Sequence, residues 1–442
     1  MNSSENHMRL TKVREDDHYG MREVIQVVRM VVGIAMTALC MSLIAMPVDA
    51  SDFTLEIFGN ANMDDTIDEL DIEYVRGIID GVNEPMRFAD ANYDGVIDEE
   101  DIAQIYKIIE YEDREITLLD IKGRVVTMAK PVERVIVLQA NFGELIKAIG
   151  SEDMIVAVCD DTLMQQKLLP DLSALPSLGK SKEPDMELLI ELEPDIVFSN
   201  EYTDPDLIKN IESAGITVVC LSAHGSLTAT RMALKNLGYI LEETDKVNEL
   251  LNWQNSYLDL ISERINTVAY DEKPRVLYSW SLANVIGTSG RDCPVKDLIE
   301  YAGGIDIAAE LPGEYIEVDP EWVIVQNPSL ILKEGMGWYT EASYEINDPS
   351  RAQELIEEFS KSTIFESIDA VREEKVFVLS TSLISTNQCW IGLIYMAKLF
   401  HPSLFEDIDP RAINQEYLNK FLRIDLNLSE EGVLLYPVPD GW

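Results

Sequence analysis

From residue 226 to residue 268 the sequence offers no β-strand. Leu227–Leu241 reads as one helix, and Thr244 can cap a second that runs to about Val268. With a rise of about 1.5 Å per residue, the second helix spans about 35–40 Å and acts as a rigid spacer. On both sides short apolar runs alternate with helical stretches. Before it, a small hairpin turns about Lys122-Gly123, and strands follow at Val135–Leu138, Ile155–Val158, Ile196–Phe198 and Thr217–Leu221. Beyond it, strands are expected at Val276–Ser279, Val285–Ile286, Leu330–Lys333 and Val376–Leu379. Alternation of this kind implies parallel β-α units. The expected class is therefore α/β: two doubly wound lobes, residues 115–225 and 272–442, joined by linking helices at 226–271.

The segment ahead of the lobes, residues 51–114, has a different texture. Two twelve-residue acidic stretches begin at Asn60 and Asp90. A calcium ion takes six to eight hard oxygen ligands, and loops with this spacing wrap them around it. In the second loop Asp90, Asn92 and Asp94 offer side-chain oxygens, Val96 its carbonyl, Asp98 a water-mediated contact, and Asp101 closes the sphere. Gly95 occupies the sharp turn. In the first loop the matching residues are Asn60, Asn62, Asp64, Thr66, Asp68 and Asp71. Asn60 replaces a charged ligand there, and Asp65 replaces the glycine in a turn that favours a left-handed backbone. Two calcium sites are expected, the second the stronger. An apolar stretch with helical spacing follows each loop, so a small all-α domain is expected. The tandem loop–helix pattern, with Asp rather than Glu at the last ligand position, resembles a dockerin. That resemblance implies a cohesin-like partner. Glu69, Leu70, Glu99 and Glu100 stand where most dockerins carry the small hydroxyl residues that meet it.

The formal charge of −45 argues against nucleic acid, because phosphate would be repelled. It suits cations, cationic ligands or an acidic solvated surface. Residues 1–50 read as a signal peptide or N-terminal anchor: basic residues, then an apolar run from Met30 to Met46, then Val48-Asp49-Ala50. The expected location is extracytoplasmic, at the cell surface or on the membrane. Cys159, Cys220, Cys293 and Cys389 form no CxxC pair, which suggests buried free thiols rather than a zinc or iron–sulfur site. Beyond residue 50 the histidines are His224 and His401 alone, too few for a histidine-rich metal site.

The large α/β part carries a family resemblance. Leu175-Pro176-Ser177-Leu178-Gly179, Met186-Glu187 and Leu192-Glu193-Pro194-Asp195-Ile196-Val197 resemble the first lobe of the solute-binding proteins that serve iron-siderophore, haem and cobalamin ABC importers. Leu298–Gly304, Asn327-Pro328-Ser329-Leu330-Ile331, Val371–Val378 and Ile391–Pro402 resemble its second lobe. The resemblance implies a two-lobed binding protein with no catalytic role. A metal chelate or corrinoid would lie between the lobes, where open α/β sheets bind ligands. It also implies a membrane permease as partner, with Glu187 and Glu321 at the two docking positions. Residues that follow strands are the candidate ligand contacts: Asn141 and Tyr202 from the first lobe, Trp280, Arg291, Met336, Trp338 and Tyr339 from the second. The last three sit on a glycine-flanked loop whose aromatic faces suit a flat ligand. Two other readings stand beside this one. One is a calcium-dependent cell-surface assembly or adhesion protein. The other is a metal-dependent enzyme on the same scaffold, for which no Gly-x-Ser-x-Gly elbow or P-loop is present.

Overall fold

The computed structural model describes residues 53–282, 285–335, 341–439 and 441–442. The signal or anchor segment at 1–50 lies outside them. In the first lobe four parallel strands lie in the order Ile155–Ala157, Val135–Val137, Ile196–Ser199, Thr217–Cys220. Helices cover both faces of such a sheet, so its strands are continuous apolar runs rather than alternating ones. Val135–Val137 and Ile196–Ser199 are accordingly buried throughout. The second lobe has five strands in the order Ile305–Asp306, Arg275–Ser279, Leu330–Gly335, Val376–Ser380, Leu435–Tyr436. The first four are parallel and the last is antiparallel. A three-stranded antiparallel sheet, Ser281–Leu282, Ile286–Ser289 and Tyr315–Val318, sits beside it; its middle strand overlaps the expected Val285–Ile286, and the two flanking strands are new.

The linking helices run over Leu227–Ile240 and Thr244–Ile265. Ser226 caps the first by accepting the Ala229 N–H at 3.3 Å. The second buries Val247, Leu250, Leu251, Gln254, Leu258, Ile261 and Ile265, a stripe at helical spacing. Opposite that stripe the second lobe supplies an aromatic cluster. Trp253 meets Trp390 edge-on, ring centroids 5.0 Å apart, and stacks on Tyr417 at 6.5 Å. Arg264 grips Asp407 with two bonds of 2.6 and 2.8 Å. The four predicted thiols are free and buried. Among the described residues no helix is long and apolar enough to cross a membrane.

Residues 53–113 hold two helices, Glu69–Ile79 and Glu99–Ile109. Each opens with a capping box, Asp68 with Asp71 and Asp98 with Asp101. The sequence suggested a separate module, but the segment is built into the first lobe. Phe58 N–H donates to the Thr117 carbonyl at 2.9 Å, and Leu119 N–H to that of Glu56 at 2.8 Å. The Ile67 N–H donates to the Tyr239 hydroxyl at 2.7 Å. Lys130 pairs with Asp113 at 3.2 Å, both side chains almost fully buried, and also donates to the Tyr239 carbonyl at 3.0 Å. Leu55, Ile72 and Ile105 share one apolar cluster with Leu118, Val135 and Leu234. So small a segment has little core of its own and shares that of the lobe.

The two lobes meet at a buried carboxyl. Glu144, on the first-lobe helix Ala140–Ala148, accepts the Gln388 amide at 2.8 Å and the Tyr417 hydroxyl at 2.9 Å, both from the second lobe. Burial pushes its pKa up to about 7, and the Gln388 and Tyr417 bonds offset only part of that. A carboxyl raised in the fold favours folding when protonated. Its contribution is therefore intact below the ordinary value of 4.5 and is lost as pH rises through about 7. Glu144→Gln, which keeps an acceptor for both donors, is expected to be more stable than the parent at pH 8, by on the order of 3 kcal/mol at most. The advantage should vanish toward pH 4.5. Urea unfolding across this range checks it; a pH-independent difference would contradict the assignment.

Candidate functional site

A cavity of about 280 Å³ opens between the lobes. Its first-lobe wall follows two strand ends. Glu201 and Tyr202 come after Ile196–Ser199, and Ser222 and His224 after Thr217–Cys220. Its second-lobe wall comprises Asp292, Cys293, Glu314, Tyr315 and Ser385. Gly225 lets the lobes close in. Its φ is +62°, and a Cβ there would lie 3.4 Å from both the Ile384 carbonyl oxygen and the Ser385 Cα.

The walls touch across the opening. The Tyr202 hydroxyl points to Glu314 Oε1 at 3.4 Å, while its ring stands edge-on to His224, centroids 6.2 Å apart. Glu201 accepts the Ser222 hydroxyl on Oε1 at 2.8 Å; its Oε2 is buried with no hydrogen-bond partner. Behind Ser385 lies Glu334, buried, which accepts the Ser385 hydroxyl at 2.7 Å and the hydroxyls of Tyr278 and Thr381. Partial burial pushes the Tyr202 hydroxyl up to about 12, and the charges of Glu314 and Glu201 add to the shift. Burial pushes the Cys293 thiol up to about 11, with Glu314 and Glu334 contributing. At neutral pH the phenol and the thiol are thus neutral.

The sequence candidates are placed unevenly. Tyr202 lines the cavity. Asn141 stands behind it, its amide donating to the Ala223 carbonyl at 2.9 Å, next to His224. Trp280 lies flat over Gly287 and donates its indole N–H to the Thr288 carbonyl at 3.0 Å. It braces the antiparallel sheet and does not line the cavity. Arg291 is exposed and precedes the lining residue Asp292. Met336, Trp338 and Tyr339 lie outside the described residues. Glu187 and Glu321 are exposed in the first turns of Met186–Glu191 and Pro320–Gln326. Sequence reasoning missed Tyr315, which opens the unforeseen strand Tyr315–Val318, and Glu314 just before it. The alternation of exposed and half-buried residues along Tyr315–Val318 was the available signal. A larger cavity, about 620 Å³, lies wholly within the second lobe beside Tyr395, Arg411 and Trp442.

The two acidic loops share one frame. In the first, Asp71 accepts the N–H of Asn62 at 3.0 Å and of Asp68 at 2.8 Å. In the second, Asp101 accepts those of Asn92 at 3.2 Å and Asp98 at 2.8 Å. Gly95 has φ +91°, as its turn position requires. Asp65, its counterpart, is not left-handed, contrary to the sequence expectation. Its carboxylate is drawn instead to Lys235 of the lobe at 3.5 Å. Among the described residues no three His, Cys, Asp or Glu side chains are gathered as a metal site. The loop carboxylates turn onto loop N–H groups. Asn60 is fully buried, and its Oδ1 accepts no hydrogen bond.

The sequence model of the periplasmic binding protein family matches residues 135–383, more than half of the chain. The molybdate-binding protein MolA of Haemophilus influenzae is 24% identical over 345 residues, covering 70% of this chain and 91% of that protein. A vitamin B12-binding protein of Vibrio parahaemolyticus is 24% identical over 208 residues, covering 47% of this chain and 72% of that protein. Among solved structures, the TroA-like periplasmic binding protein FepB from Veillonella parvula superposes with a TM-score of 0.60 at 21% identity, covering 72% of this chain and 98% of that one. The two lobes, the helical link and the cleft between them agree with these matches, and the chain belongs to the periplasmic binding protein family.

Proposed function

We propose that this protein captures a metal-bearing solute of the iron-siderophore, haem or corrinoid type outside the cytoplasm and delivers it to the permease of an ABC importer. The observation that carries this reading is the interlobe cavity, with Tyr202, His224, Glu314 and Tyr315 facing one another from both lobes. Phenol faces bury area against a ligand, and the imidazole offers a nitrogen to a metal centre. Relatives named for molybdate and vitamin B12 binding support a solute-binding role. A titration panel of ferric chelates, haem and corrinoids tests it. Tyr202→Ala should weaken the solute that binds by about tenfold or more. Unchanged affinity for that solute would remove the cleft from the account.

Docking on the permease would use Glu187 and Glu321. Both are exposed, one on each lobe, and the packed linking helix holds the lobes in register. Two charges at a fixed separation select partner and orientation. Glu187→Arg with Glu321→Arg should abolish uptake while leaving solute affinity intact. Normal uptake by the double variant would refute the assignment.

Calcium is proposed for both loops. The ligands are oxygen atoms only, as a hard cation requires, and the orphan Asn60 Oδ1 sits where the first ligand belongs. Asn60, Asn62, Asp64, Thr66, Asp68 and Asp71 would hold one ion, and Asp90, Asn92, Asp94, Val96, Asp98 and Asp101 the other. A dockerin-like role in cell-surface assembly, with a cohesin-like partner, is favoured by Leu70, Val82, Val96 and Tyr106, which are exposed on this segment. An ion that binds only the folded state raises the melting temperature. Calcium should therefore raise the Tm of the full chain by a few degrees over the chelator-treated protein, and Asp101→Ala should remove part of the rise. Equal Tm values with calcium and with chelator would rule the sites out.

A further inference from the structure

The cleft has a sign of charge, and that sign narrows the solute. Glu201, Asp292 and Glu314 line one cavity of about 280 Å³, and no lysine or arginine is among the described residues that line it. Glu334 adds a fourth carboxylate directly behind Ser385. None of the four is in an ion pair within the described residues. Glu334 and Glu201 are held by hydroxyls instead. Asp292 accepts the Gly313 N–H at 3.1 Å. Glu314 faces the Tyr202 hydroxyl, itself a weak partner at 3.4 Å. The Lys122 ammonium is turned to the Glu201 carbonyl at 2.7 Å rather than to its carboxylate. Glu201 Oε2 is left buried and unpartnered.

Like charges brought together in a partly desolvated space repel, and low-dielectric walls focus their field. A cation entering this space removes the repulsion, whereas an anion adds to it. Tyr202 and Tyr315 line the cavity from the two lobes, and a cation over an aromatic face gains further attraction. The volume, about 280 Å³, is slightly under the usual range for small-molecule pockets and suits a compact group, a whole solute or the charged part of a larger one.

Resting on the solute-binding reading above, we propose that the cleft selects a compact solute presenting net positive charge, such as a cationic metal complex, and rejects free oxyanions. Glu201, Glu314 and Asp292 are the specificity-determining residues.

The test uses the full chain, calcium-saturated, at about 0.15 M ionic strength so that surface charge is screened. Hexaamminecobalt(III) chloride is the cationic probe and sodium molybdate the anionic one, each followed by calorimetric titration. The expected result is one cobalt-complex site weakened about tenfold or more by Glu314→Gln and again by Glu201→Gln, with no molybdate heat. Both variants are nearly isosteric, and circular dichroism establishes that they fold. Cobalt-complex binding that ignores both substitutions, or no binding at all, overturns the charge assignment. So does molybdate binding that Tyr202→Ala abolishes, which would leave the cleft as the solute site with the opposite preference. If no member of the chelate panel binds in a Tyr202-dependent way either, the solute-binding reading fails with it.

Discussion

The molecule depends on how its two lobes are fixed to one another. The helix Thr244–Ile265 does not merely span them; its Trp253 packs against Trp390, Tyr417 and Phe421 of the second lobe. Glu144 then ties the first lobe to Gln388 and Tyr417 from the other side. A third link joins Glu345 of the second lobe to the Lys167 N–H at 2.9 Å. Opening the lobes widely would expose a buried carboxyl and an aromatic cluster together. Closure around a solute is therefore a small movement, and the cleft stays close to its resting shape.

The fixed cleft gives its charge a meaning. Mobile side chains on an open surface can turn away from a repelling neighbour. Here Glu334 is held by three hydroxyls, Glu201 by Ser222, and Asp292 by a backbone N–H. The field is thus a property of the fold and is present before any solute arrives. The wider acidity of the chain is a separate matter, since exposed charges are screened within about 10 Å in salt.

Much of the scaffold was legible in the sequence because the signals were local. Buried parallel strands such as Val135–Val137 are short apolar runs, and the strand-free stretch before Lys273-Pro274 marked the helical link. What escaped was non-local or faint. Ile305–Asp306 and Leu435–Tyr436 are two-residue edge strands with no periodicity to detect. Tyr315–Val318 is half exposed and resembles a loop, so Glu314 and Tyr315 went unseen although both line the cleft. Tyr202 was found because it follows a strand; Trp280 follows one too, yet its ring is claimed by Gly287. The loop–helix segment reads as a separate module because its spacing is local, while its ties to Lys130, Lys235 and Tyr239 cross long stretches of sequence.

These ties also give the N-terminal segment a structural place. Its first loop leans on the helix Leu227–Ile240 through Tyr239 and Lys235, so whatever orders that loop is felt in the lobe. The central claim remains that the acidic interlobe cleft holds the solute. Native mass spectrometry of the protein taken from its producing cells tests this most directly. The account predicts an additional mass bound to the parent chain, absent from a variant carrying Glu201→Gln and Glu314→Gln. A solute retained equally by both would contradict it.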